Sequence, residues 1–133
     1  MTDAFEVVSY NLKTGNGPSQ EFLVEDGTMG TLEVRVGVQT GITGFSVWLE
    51  QCSEETATNW FEFPFERSTK GAGQVLVEGT TRTNGRNVVN NETTSAVVAN
   101  YTAVYPAMPA GKYRVNWKFT GTDITWGARF SVK

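Results

Sequence analysis

"KYRVNWKFTGTDITWGARFSVK", residues 112–133, sets how the rest of the sequence is read. Tyr113, Val115, Trp117 and Phe119 share one parity, and Arg114, Asn116 and Lys118 share the other. Beyond "TGTD", Ile124, Trp126, Ala128, Phe130 and Val132 repeat the pattern against Thr125, Arg129 and Ser131. Such alternation marks half-buried strands with one wet face. The glycine-bearing turn between them predicts a hairpin. Trp117 and Trp126 fall on the apolar parity and are therefore core residues, while Arg114, Lys118 and Arg129 form a candidate contact surface.

The same grammar runs through the sequence. Residues 4–12, 20–25, 31–38, 44–52, 59–65 and 73–81 read as strands, separated by turn-rich stretches such as "KTGNGPS" and "EDGTMG". Leu32, Val34, Val36 and Val38 face inward in one of them, and Phe45, Val47 and Leu49 in another. Phe61, Phe63 and Phe65 share a face assigned to the core, and Pro64 ends that strand or places it at an edge. "TKGAGQV" (69–75) reads as a turn between strands, and Asn84-Gly85 signals a short hairpin within 82–94. Residues 95–112 read as a strand entering a proline-marked loop. About eight to ten short strands without a helical period describe an all-β protein, an antiparallel β-sandwich with jelly-roll character.

With 133 residues and 14.6 kDa, the expectation is one domain over 1–133. A globule of that size buries roughly two-thirds of the surface of its unfolded chain, enough for a core without staples. Cys52 is the sole cysteine, so no internal disulfide forms, and a small buried thiol is expected. "MTDAFEVVSY" has neither a basic n-region nor an apolar h-region, which predicts synthesis and folding in a cytoplasm. No run reaches the roughly 20 apolar residues of a membrane span.

The net charge of −3 argues against nucleic acid as a partner. Residues 1–65 carry ten acidic and two basic side chains, whereas 66–133 carry nine basic and four acidic. Either the two halves interleave within one sandwich, or they present complementary surfaces for head-to-tail contacts.

Catalytic chemistry has little to work with. There is no histidine, which removes the usual general base and every Ser-His or Cys-His arrangement. One cysteine leaves no zinc set, and "TKGAGQV" lacks the Gly-Lys-Ser/Thr ending of a phosphate loop. The carboxylate pairs at 25–26 and 54–55 sit in turns and read as solvated. The expectation is a protein that is no enzyme and needs neither cofactor nor metal.

Trp48 and Trp60 stand apart from the other aromatics. Trp48 lies between Ser46 and Glu50 on the polar parity of its strand, and Trp60 shares its face with Glu62. If the two strands pair through "SEETAT", both indoles reach one outer surface. Either a long loop such as 66–94 covers them, or they form an aromatic patch for a protein or a sugar.

The run "EDGTMGTLEVRVGVQT...FSVWLEQCSEETATNWFEF", with "AGKYRVNWKFTGTDITWGARFSVK" after it, resembles small structural proteins of tailed bacteriophages. The likeness covers roughly residues 26–65 and 110–133 and rests on strand periodicity and turn chemistry. It implies a β-sandwich of the virion: a capsid decoration protein, or a head or tail accessory, assembled in the host cytoplasm. The implied partners are the major capsid protein or another virion protein, together with further copies of the chain, a trimer first among oligomers. Neither nucleic acid nor membrane is an expected partner. A carbohydrate-binding module using Trp48 and Trp60 is the alternative.

Overall fold

A computed structural model describes residues 3–25, 27–52, 59–72, 81–83, 85–94 and 97–132. Among them the chain forms only strands: β1 (Asp3–Lys13), β2 (Phe22–Val24), β3 (Thr28–Val36), β4 (Thr43–Cys52), β5 (Trp60–Glu62), β6 (Arg67–Ala72), β7 (Thr81–Thr83), β8 (Asn87–Glu92), β9 (Ala99–Met108), β10 (Gly111–Thr120) and β11 (Ile124–Val132). They make two antiparallel sheets. The six-stranded sheet runs β1-β11-β3-β9-β6-β7, and the five-stranded sheet runs β2-β10-β4-β5 with β8 also paired to β4. The expected β-sandwich is what forms.

The faces of the opening stretch are as expected, but its pairing is not. β10 pairs with β2 and β4, while β11 pairs with β1 and β3. The turn at Gly121 therefore carries the chain from one sheet to the other and makes no hairpin. Trp117 and Trp126 meet across the sandwich, edge to face, with ring centroids 5.0 Å apart. The crossing is fixed from outside: the Gln39 amide donates to the Asp123 carbonyl (2.5 Å), and the Thr125 amide donates to Gln39 Oε1 (3.1 Å).

Inward parity fills the space between the sheets with Leu32, Val34, Phe45, Val47, Leu49, Tyr105, Tyr113, Val115, Trp126 and Phe130, all essentially inaccessible. Each such apolar side chain contributes about 1.5–3 kcal/mol relative to exposure. Phe22 of the smaller sheet packs on Phe5 and Phe130 of the larger one, at 5.3 and 4.9 Å. The Trp126 Nε1–H finds no hydrogen-bond acceptor among the described residues and lies among the rings of Trp117 and Phe45. Tyr105 is equally enclosed, and burial pushes its phenol far above the usual range.

Other expectations need correction. Val38 lies beyond the end of β3 and is exposed: the Gly37 amide still donates to the Thr125 carbonyl in the β11 register, and the strand has ended before Val38. Phe61 is 45 % exposed: its strand has three residues at the sheet edge, where inward parity meets no opposing layer. Residues 67–72 are no turn but strand β6, paired along its length with β9. The short hairpin expected within 82–94 does not form between β7 and β8, which pair with β6 and β4 in different sheets; Asn84 itself lies outside the described residues. The strand expected at 73–81 and the link 53–58 lie largely outside the described residues.

"KTGNGPS" has a structural task beyond separating strands. Gly17 and Ser19 donate backbone hydrogen bonds to the carbonyls of Trp117 and Val115, lacing the segment to the free side of β10. The Trp117 indole donates to the Gly15 carbonyl at 3.0 Å. A Cβ on Gly17 would stand 2.6 Å from the Trp117 ring, so glycine alone permits this approach.

Candidate functional site

The outer face of the five-stranded sheet brings together most of the residues singled out by parity. β4 pairs with β5 on one side and β10 on the other, so Glu50 sits between Glu62 and Arg114 in register. Trp48 lies opposite Asn116, and Trp60 opposite Cys52. Outward-pointing residues of three adjacent strands thereby become one surface.

Glu50 organises it. Its Oε1 accepts from Arg114 Nε at 2.7 Å, and its Oε2 accepts from Trp48 Nε1 at 2.8 Å and Asn116 Nδ2 at 3.1 Å. The Arg114 guanidinium lies over the Trp60 ring, 4.1 Å from its centroid. A cation in that position is worth about 0.5–2 kcal/mol, depending on how far the pair is desolvated. Burial of Glu50 pushes its carboxyl up, but the hydrogen bonds from Trp48, Arg114 and Asn116 and the Arg114 charge outweigh that. The carboxyl is held below its ordinary value, and Glu50 is an anion at neutral pH.

Trp48 and Trp60 are each half-buried, and Glu62 and Lys118 are exposed on the same face, Lys118 opposite Ser46. Leu23 of β2 extends this face at its margin and is 75 % exposed. Arg129 does not join the others. It projects from β11 on the outer face of the six-stranded sheet, between Glu6 and Glu33. The 66–94 cover considered for the indoles falls partly on residues outside the description; among the described ones, Asn87 of β8 borders Trp48.

The array is a ledge of Trp48, Arg114 and Trp60 fixed by a buried carboxylate. Tryptophan and arginine are the residues enriched at protein–protein hot spots. A guanidinium already held by Glu50 and Trp60 loses little freedom when a partner docks. Sequence reading missed the central role of Glu50 and Asn116. Their signal was outward parity directly beside Trp48 and Arg114.

The charge halves interleave. Arg114–Glu50 (2.7 Å) and Lys112–Glu21 (3.9 Å) each join a basic residue of the second half to an acidic one of the first. Cys52 is buried, as expected.

No known protein family matches the sequence, and no curated protein matches it. Among solved structures, the chain is similar to the SPBc2 prophage-derived protein YomS, with 10% identity and a TM-score of 0.52 over 100% of this chain and 96% of that one. That likeness spans the whole sandwich and identifies the fold. Lower similarity, at a TM-score of 0.49 and 10% identity, extends to a structure of infectious bursal disease virus, Gx strain, covering 99% of this chain and 31% of that one. The CBM22-1–GH10 modules of Clostridium thermocellum xylanase 10B, in complex with xylohexaose, give a TM-score of 0.46 and 12% identity over 83% of this chain and 17% of that one.

Proposed function

We propose that the chain is a non-enzymatic structural protein of a phage particle that docks on the assembled capsid, as a decoration protein, through the outer face of its five-stranded sheet. The observation that carries this reading is the Trp48–Arg114–Trp60 ledge clamped by Glu50. Its residue types and rigidity suit a desolvated protein contact. The full-length fold likeness to a prophage-derived protein supports the phage setting. Binding only to an assembled lattice stabilises that lattice by mass action, and symmetry repeats the contact on every capsomer. A homo-oligomer, with a trimer as the first expectation, would multiply a modest contact into firm attachment.

The alternative at the same residues is a stacking platform for sugar. It requires open indole faces, and Arg114 already occupies one face of Trp60 while Trp48 spends its N–H on Glu50. Protein docking uses such a braced array as it stands.

Adding the purified chain to particles of a phage deleted for it tests the proposal. The chain should co-sediment with the particles, and folded Trp48→Ala and Trp60→Ala variants should remain in the supernatant. Equal sedimentation of chain and variants contradicts the assigned face; failure of the chain itself to sediment contradicts the function.

A further inference from the structure

The opposite side of the molecule carries a second surface, which the docking face leaves unexplained. On the outer face of the six-stranded sheet lies an open groove of about 780 Å³ floored by the backbone of β11, β3 and β9. One wall is made by β1. Its register shifts at Val8 and again before Asn11, which brings Tyr10 over Gly127. A Cβ on Gly127 would stand 2.7 Å from Tyr10 Cα, so the glycine permits this wall.

Glu6, Arg129 and Glu33 follow one another across the strands, and Arg35 stands beside the Glu33 row with its guanidinium 4.8 Å from the Tyr10 ring centroid. These residues make few bonds within the protein. Glu33 and Arg129 have no hydrogen-bond or ion-pair partner among the described residues, and Arg35 has only its contact with Tyr10. Asn100 in the floor holds an amide nitrogen that is shielded from solvent and makes no hydrogen bond among the described residues. A native structure seldom leaves such a donor unpaired without a reason.

We propose that this groove binds a neutral oligosaccharide. Two carboxylates and two guanidiniums balance, so neither a polyanion nor a polycation is selected. The main-chain groups beneath are committed to the β-ladder, so an extended peptide could not add as a strand there. An apolar ligand would desolvate Arg35, Arg129 and Glu33 without return. Sugar hydroxyls both donate and accept. Vicinal pairs of them can bridge adjacent guanidinium and carboxylate groups, and rotation of the Asn100 amide supplies a further bond. The inference is independent of the virion reading. If both hold, the two sheets present a docking face and a sugar-binding face on opposite sides.

The test is native gel electrophoresis of the full chain in gels cast with dextran, mannan, xylan, galactomannan, laminarin or hydroxyethyl cellulose, with heparin as the charged comparison. Retardation by at least one neutral polymer is expected, unchanged by added salt because no net charge is exchanged. Glu33→Gln, which is near-isosteric, and Asn100→Ala, which removes the unbonded amide, should each fold and weaken it about tenfold. Gln20→Ala, exposed before β2, should leave it unchanged. No retardation by any neutral polymer, retardation by heparin alone, or retardation that survives both groove variants overturns the proposal.

Discussion

Glu50→Gln is the most informative single change, because the whole ledge hangs on that carboxylate. In the wild type, three donors converge on it, one of them cationic, and the Glu50 and Arg114 side chains are only 10% and 21% exposed. Glutamine keeps the shape but turns an N–H₂ toward one of these donors and leaves Arg114 without its counter-charge. Removing one partner of a dry buried pair costs about 3–5 kcal/mol, and a hydrogen bond to a charged group contributes about 1.5–3 kcal/mol. This pair is shielded but not dry, so the loss should be about 2–3 kcal/mol, or roughly 8–12 °C in Tm. Chemical denaturation at neutral pH measures it.

The same substitution has a pH signature. The folded carboxyl lies below its ordinary value of 4.5, so between the two values the unfolded chain binds more protons. The stability advantage of wild type over Glu50→Gln is therefore complete above about pH 4.5 and shrinks as the pH falls through the folded value. A variant within about 0.5 kcal/mol of wild type at pH 7, the range of ordinary surface changes, would refute the assigned role of Glu50.

Three further changes probe the fold. Gly30→Ala drives a Cβ into the Phe130 ring and the Met108 sulfur, both fully buried, and should cost about 1–3 kcal/mol in urea unfolding. Trp117→Phe should cost about 1 kcal/mol more than Trp126→Phe in the same assay, because Trp117 loses a bond to the Gly15 carbonyl, while the Trp126 N–H has no acceptor among the described residues. Hydrogen exchange at Gly17 and Ser19 should rise in Trp117→Phe alone, since that indole pins their segment to β10. The Cys52 thiol is 7% exposed and should react with Ellman's reagent only as fast as the protein opens.

Side-chain parity was legible in the sequence and strand pairing was not. Alternation placed Tyr113, Val115 and Trp117 on one face, and inward they point. Yet the same alternation serves a hairpin, where Trp117 and Trp126 would lie on one face, and a crossover, where they meet from opposite sheets. Only long-range partners such as Gln39 decide between the two, and no local pattern reports them. The hairpin signal within 82–94 misled for the same reason, since β7 and β8 pair in different sheets. Phe61 misled because parity presumes an opposing layer, which an edge strand of three residues lacks.

For the candidate site, outward parity placed Trp48 and Trp60 on one surface provided their strands pair, as β4 and β5 do; that Arg114 and Lys118 lie on the same surface follows from β10 pairing with β4, which no local pattern reports. Arg129 shares the polar parity of the same terminal stretch but belongs to the other sheet, a consequence of the unforeseen crossover. The groove was invisible because it depends on β1 shifting register to lay Tyr10 over Gly127.

The claim that the chain is a virion component is tested most directly by quantitative mass spectrometry of gradient-purified particles from the phage that encodes it. The account predicts the chain among the particle proteins at a fixed, high copy number relative to the major capsid protein. Particles of normal composition from which the chain is missing, although it is abundant in the lysate, would contradict it.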